Sequence, residues 1–162
     1  MRIMGIDPGT ARVGWAVVDI NGSRSDAKAY GCITTQKTTE QHDRLSAIYR
    51  SLRTLLRTYK PESVAVEELF FATNAKTAMR VGEARGVILL AAAQYGGPVV
   101  SYSPLAIKQT ICGSGQADKS QVQKMIMRLL HLSRIPQPDD AADALAIALT
   151  HAYSYKFTSR VS

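Results

Sequence analysis

Three apolar segments separated by short turns open the chain and limit the sheet that it can form. They run from Arg2 to Ile6, from Val13 to Ile20 and from about Ala27 to Thr34. An Asp-Pro-Gly-Thr turn separates the first two, and Asn21-Gly22 is a hairpin signal before the third. Strands joined by such short turns pair antiparallel. The sequence therefore predicts an antiparallel three-stranded meander.

The next segment changes to a helical period. Apolar residues recur on one helix face from about Asp43 to Tyr59. Four arginines are predicted to lie off that face: Arg44, Arg50, Arg53 and Arg57. A short strand, Val64-Ala65-Val66, follows, and a right-handed crossover would return it parallel to an earlier strand. Pairing with the first strand would bring Asp7 and Glu67 together.

The rest of the chain predicts four more helices around one further strand, which makes the fold class α/β. Thr73 or Asn74 caps a helix to Gln94, a strand covers Val99 to Tyr102, and Ser103-Pro104 starts a short helix to Ile111. Asp118 with Gln121 predicts a capping box, and a last helix runs from about Asp139 to Tyr153. Ala78, Gly82 and Gly86 recur every four residues, which indicates close packing against the sheet or against a second subunit.

Length and composition predict one domain without a membrane span. The 162 residues suit a single domain over 1–155, with a frayed tail over 156–162. No apolar run approaches the roughly 20 residues that span a bilayer, and two distant cysteines give neither a zinc pattern nor a disulfide framework. We therefore expect a cytoplasmic protein. The formal net charge of +7 favours a polyanionic partner, or simply solubility.

Four acids stand at predicted strand ends and a helix start: Asp7, Glu67, Asp140 and Asp143. Each has an ordinary explanation, because aspartate is common in turns and acids stabilise helix starts by about 0.3–1 kcal/mol. Their convergence at one sheet edge would be repulsive without cations. Oxygen ligands alone favour Mg²⁺ or Mn²⁺ over zinc, and two such ions per site are the usual device for phosphodiester hydrolysis. The histidines have no nucleophile motif nearby and are interpreted as surface or packing residues.

Several motifs occur together in a fixed order: Gly-Ile-Asp-Pro-Gly-Thr, Val-Ala-Val-Glu-Glu-Leu-Phe-Phe-Ala-Thr-Asn, Gly-Glu-Ala-Arg-Gly-Val, Ile-Lys-Gln-Thr, Asp-Lys-Ser-Gln-Val-Gln and Asp-Ala-Ala-Asp-Ala-Leu-Ala-Ile-Ala. With them the chain resembles the RuvC family of bacterial Holliday-junction resolvases from Ile3 to about His151. The resemblance implies a ribonuclease-H-like fold with a mixed five-stranded sheet flanked by helices. It also implies a homodimer that nicks two opposed strands of a four-way DNA junction in recombination and repair, with a branch-migration complex as partner.

Carried over by position, the resemblance assigns catalysis and metal binding to the same four acids, Asp7, Glu67, Asp140 and Asp143. It assigns the aromatic that enters the junction to Phe70, and the basic DNA contacts to Lys108 and Lys119. Three neighbours compete for these roles: Glu68, Asp139 and Phe71.

Three other functions remain open from the residues. A ribonuclease-H-like nuclease acting on RNA or an RNA–DNA hybrid would share the acids and the metal. A phosphate-binding lobe of the actin and sugar-kinase type would share the strand followed by Asp-x-Gly-Thr, although the length of this chain suits only one of the two lobes. A non-catalytic junction-binding protein would bind with a steep salt dependence but would not nick.

Overall fold

The computed structural model describes residues 1–69 and 75–161, with side chains to Tyr155, and these residues form one mixed sheet. Its five strands are β1 (Arg2–Asp7), β2 (Arg12–Asn21), β3 (Arg24–Thr34), β4 (Ser63–Glu67) and β5 (Val99–Tyr102). Their order across the sheet is β3-β2-β1-β4-β5. The β1–β2 and β2–β3 pairs are antiparallel, and the β1–β4 and β4–β5 pairs are parallel. The predicted meander and the parallel return of β4 beside β1 are both confirmed.

Five helices complete the described part of the chain: α1 (Gln41–Tyr59), α2 (Ala75–Tyr95), α3 (Pro104–Cys112), α4 (Lys119–Leu129) and α5 (Asp139–Val161). Local capping explains two starts, because Ser103 Oγ accepts from the Ala106 N–H at 3.2 Å and Asp118 forms the predicted capping box with Gln121. Helix α5 continues past its predicted end at Tyr153. The predicted caps Thr73 and Asn74 lie outside the described residues. None of the helices in the described ranges is long and apolar enough to cross a membrane.

Both faces of the sheet are buried, because side chains alternate along each strand. Ile3 of β1 packs with α3, α4 and α5, whereas Met4 packs with α1 and α2. The sheet is thus the middle of three layers. Its top edge, where β1 and β4 end, lies open between the two helical layers and holds the candidate site.

Helix α5 lies unusually close to the sheet because two glycines face it. A Cβ on Gly5 would overlap the carbonyl oxygen of Ala144, and a Cβ on Gly14 would overlap the carbonyl oxygen of Asp140. Small buried residues on the helix complete this contact: Ala141, Ala144 and Ala148. The close approach carries Asp140 and Asp143 towards the end of β1.

The prediction that all four arginines of α1 lie off its buried face is wrong for Arg44. This residue is only 5% exposed, whereas Arg50, Arg53 and Arg57 are exposed as expected. The cause is tertiary: the first turn of α1 lies beside the residue that follows β3, where Arg44 Nε donates to Thr35 Oγ1 at 2.9 Å. The helical spacing of residues in the sequence cannot predict a contact with a residue outside the helix.

Candidate active site

Parallel pairing of β1 with β4 brings two acids to the same sheet edge. Ile6 lies opposite Val66, so the next residues, Asp7 and Glu67, leave their strands side by side. Their carboxyl groups form a hydrogen bond with each other. The predicted meeting of these two side chains is therefore observed.

This carboxyl pair holds a proton strongly. Burial, followed by the charges of Glu67 and Asp143, raises the pKa of Asp7 to about 8. Burial also raises the pKa of Glu67, although its hydrogen bond from Asp7 acts in the opposite direction. Both carboxyl groups therefore bind a proton more readily than a free carboxyl group does. A carboxyl pair of this kind gains from any nearby cation that replaces the proton.

Asp143 lies opposite this pair on α5 and has its own cation. Burial raises the pKa of Asp143, and the ammonium of Lys119 opposes that rise. Lys119 Nζ stands 3.2 Å from Asp143 Oδ2 and 3.4 Å from Asp139 Oδ2. The pKa of Lys119 is lowered by burial but raised more by these two carboxylates, so it stays charged.

These groups line a cleft of about 230 Å³ between β1, β4, α3, α4 and α5. We call it the acidic cleft and define it by its charged residues: Asp7, Glu67, Asp143, Lys108 and Lys119. Its three acids and two lysines are all among the residues assigned by the resemblance. The cleft is open on one side to solvent and walled by apolar residues such as Ile107 and Val122.

Asp140 lies apart from the acidic cleft. Its Oδ2 is 3.2 Å from Arg12 Nε, and although this oxygen is buried, the angle of approach does not make a hydrogen bond. Asp140 instead lines a neighbouring groove with Arg12, and of the acids that raise the pKa of Asp7 it contributes least. Of the four acids assigned by the resemblance, three line the acidic cleft and Asp140 does not.

The donor set suits a hard divalent cation, because it consists of buried carboxylate oxygens whose charges are poorly compensated. As the side chains stand, no three acids, histidines or cysteines of the described residues form a ready metal-binding group. Basic side chains contact two of the acids instead: Lys119 Nζ lies 3.2 Å from Asp143 Oδ2, and Arg12 Nε lies 3.2 Å from Asp140 Oδ2. A metal would have to displace these contacts to gather the acids.

The neighbouring acids lie further from the cleft. Glu68 is exposed, and its backbone N–H donates to the Tyr102 carbonyl at 2.9 Å. Asp139 is half-exposed beside Lys119 and accepts from Gln123 Nε2 at 3.3 Å. Neither lines the acidic cleft. Phe70 and Phe71 lie outside the described residues, so the choice between them stays a prediction.

Arg85 supports the site and was missed by the sequence reasoning. Its Nε donates to the Glu67 carbonyl at 3.0 Å, and its second amino group donates to Ser101 Oγ at 2.8 Å. The side chain thereby ties the end of β4 to α2 and β5, which fixes the backbone that carries the Glu67 carboxylate. A signal was available, because Arg85 stands between the apolar residues Ala84 and Ile88 on the buried side of α2.

Comparison with known proteins agrees with this geometry. A family model described as crossover junction endodeoxyribonuclease RuvC matches residues 3–151. The chain belongs to this family. A relative with the same name from Alkaliphilus oremlandii is 49% identical over 158 residues, which are 98% of this chain and 96% of the relative.

Solved structures of the family confirm the fold. The RuvC structure from Thermus thermophilus has a TM-score of 0.91 and 37% identity, over 98% of this chain and 97% of that one. The same protein in complex with a Holliday junction substrate has a TM-score of 0.89 and 35% identity, over 97% and 96%. The expected ribonuclease-H-like fold is therefore confirmed. The chain is an endonuclease of the RuvC family, which acts in recombination and repair and needs a divalent metal.

Proposed function

We propose that the chain resolves four-way DNA junctions by symmetric, metal-dependent nicking of two opposed strands, leaving ends that a ligase can join. The observation that carries the proposal is the acidic cleft, in which buried carboxylates from β1, β4 and α5 face two lysines. Family membership supports the substrate, since a relative with this fold has been solved with a Holliday junction. We also propose a branch-migration complex as partner and a cytoplasmic location, as the resemblance of the sequence implies.

We propose Asp7, Glu67, Asp140 and Asp143 as ligands for two Mg²⁺ or Mn²⁺ ions. When bound, such ions would activate water and stabilise the leaving oxygen of the phosphodiester. Lys108 and Lys119 supply positive charge at the mouth of the cleft and attract the scissile phosphate. Arg85 holds the Glu67 backbone in place, which keeps the Glu67 carboxylate beside Asp7.

A substrate panel tests the proposed function. We expect nicking of a four-way DNA junction in Mg²⁺ or Mn²⁺ at two symmetric positions, with much slower cutting of linear duplex and of an RNA–DNA hybrid. Denaturing gels with each strand labelled in turn measure the cut sites. Faster cutting of the hybrid would favour the ribonuclease alternative, and tight junction binding without metal-dependent cutting would favour a binding protein.

The exposed face of α2 supports a homodimer. Gly86 has no atom of the described chain within 4 Å of the position where its Cβ would lie, so packing inside the chain does not require glycine there. Met79 and Leu90 lie on the same exposed side and are 69% and 52% exposed. The opposite side of the helix, with Ala84 and Ile88, already packs on the sheet. A second copy, meeting this face with its own α2, would cover the apolar residues and explain the glycine.

Leu90→Glu is expected to convert the dimer into a monomer, because the substitution places a charge in an apolar contact while leaving the core untouched. Sedimentation velocity measures the change, and paired cutting of one junction should fall more than nicking of one strand. Leu105→Glu on α3, where the side chain is 60% exposed, is the matched control and should remain dimeric. A dimer that survives Leu90→Glu would contradict this interface.

A further inference from the structure

A second cavity lies near the acidic cleft: Asp140 lines this cavity, and Asp143 on the same helix lines the cleft. The second cavity has a volume of about 590 Å³ and lies between the turn after β1, the start of α1 and the start of α2. We call it the basic groove and define it by four side chains: Arg12, Lys37, Arg44 and Arg80. The resemblance assigned no role to any of them.

Arg44 is the most informative of these residues because it is a buried charge without an ionic partner. It is 5% exposed, and no carboxylate of the described residues lies within 4.0 Å of its guanidinium. Thr35 Oγ1 accepts from its Nε at 2.9 Å and donates to the Thr10 carbonyl at 2.6 Å, which fixes the side chain. That bond uses one of the five N–H donors of a guanidinium. Burying an unpaired cation is costly, so the site favours an anion.

Thr10 adds an unused hydroxyl to the same cavity. The residue is 9% exposed, and its Oγ1 has no hydrogen-bond partner in the described ranges. Buried hydroxyls are nearly always hydrogen-bonded, so one that lines a cavity is a candidate ligand contact. Hydroxyl and guanidinium groups both donate hydrogen bonds to phosphate oxygens, and the basic groove is lined by both.

The excess of positive charge around the basic groove also favours binding of an anion. Four basic side chains line it against one carboxylate, that of Asp140, which Arg12 already contacts at 3.2 Å. The nearest acid on α2, Glu83, accepts a hydrogen bond from Gln41 Nε2 at 2.7 Å and does not line the groove. The N–H donors of an arginine guanidinium match the geometry of phosphate oxygens, and a lysine ammonium adds positive charge.

We propose that the basic groove binds a backbone phosphate of the DNA substrate other than the one that is cut, with Arg44 as its buried anchor. Asp140 lines the basic groove and Asp143, three residues later on α5, lines the acidic cleft, so the two cavities lie about one helix turn apart and one strand can reach both. The inference rests on the proposed function. It adds a positioning site that holds the strand while the neighbouring phosphodiester lies in the acidic cleft.

The test uses the dimeric protein with Lys37→Gln and Arg80→Gln combined, because both side chains are exposed and their loss should not affect folding. The dissociation constant of a labelled four-way junction is measured against salt in Ca²⁺. We expect binding to weaken roughly tenfold per lost contact near 0.1 M salt, and the salt slope to fall by about two. Arg44→Met should weaken binding further, with thermal unfolding to confirm its fold.

The matched control is Arg53→Gln combined with Arg57→Gln, which removes the same charge from the exposed far end of α1. The inference fails if junction binding by the Lys37→Gln, Arg80→Gln variant has the same salt slope as binding by this control. Junction cutting by the wild type would then show that the proposed function still holds. A wild type that neither binds nor cuts junctions would refute the proposed function itself. Titration with inorganic phosphate distinguishes a site for free phosphate from a site for a DNA phosphate. If Arg44→Met weakened the binding of inorganic phosphate but left junction binding unchanged, the inference would also be overturned.

Discussion

Asp143→Asn is expected to lower the rate of junction nicking by roughly 10³-fold while junction binding is retained. Asparagine keeps the volume of the side chain but removes its charge, so the acidic cleft loses a candidate metal ligand and the partner of Lys119 at 3.2 Å. Losing several kcal/mol of transition-state stabilisation corresponds to about three factors of ten. Binding should persist or tighten, because one negative charge facing the phosphates has been removed.

Single-turnover cleavage at saturating Mg²⁺ measures the rate, and binding in Ca²⁺ measures the affinity. Asp139→Asn and Glu68→Gln are the matched controls, since both residues stand beside assigned acids but outside the cleft lining. Each should stay within about threefold of the wild-type rate, in line with small surface effects. If Asp139→Asn were as inactive as Asp143→Asn, the choice of α5 ligands would be wrong.

Local sequence signals predicted the elements of this fold well because the physical causes are local. The Ser103-Pro104 start of α3 and the Asp118 capping box each depend only on residues within four positions of one another. The parallel return of β4 also followed from the handedness of crossovers. Boundaries were less exact, since α5 runs beyond Tyr153.

The arrangement of the site depended on contacts between distant segments, which the sequence does not display. Gly5 and Gly14 allow α5 to lie on the sheet, and this approach, rather than helix spacing, decides where Asp140 and Asp143 stand. Asp140 contacts Arg12 because β2 passes beneath the first turn of α5. Arg44 is buried for a similar reason, although its position on α1 predicts exposure. Such residues are found only when the segments are in place.

Asp7→Asn is expected to make the metal-free protein more stable above neutral pH. The pKa of Asp7 is raised from 3.8 to about 8, mainly by burial and then by Glu67 and Asp143. Between these two values the folded state binds more protons than the unfolded state, so the stability of the wild type falls as pH rises. Asparagine cannot ionise and avoids that loss. The variant should gain roughly 1–4 kcal/mol over the wild type at pH 8.5 and little at pH 5.

Urea unfolding in EDTA at pH 5, 7 and 8.5 measures this difference. Asp19→Asn is a control of opposite sign, because the hydrogen bond from Arg2 at 2.6 Å lowers the pKa of Asp19. Its contribution is present above the unfolded value and lost as pH falls, so this variant should be less stable than the wild type at pH 7. Added Mg²⁺ should stabilise the wild type and not Asp7→Asn. The difference in free energy of unfolding between the two proteins should therefore become smaller. An Asp7→Asn protein that is no more stable than the wild type at pH 8.5 would show that the acidic cleft carries no electrostatic strain for a metal to relieve.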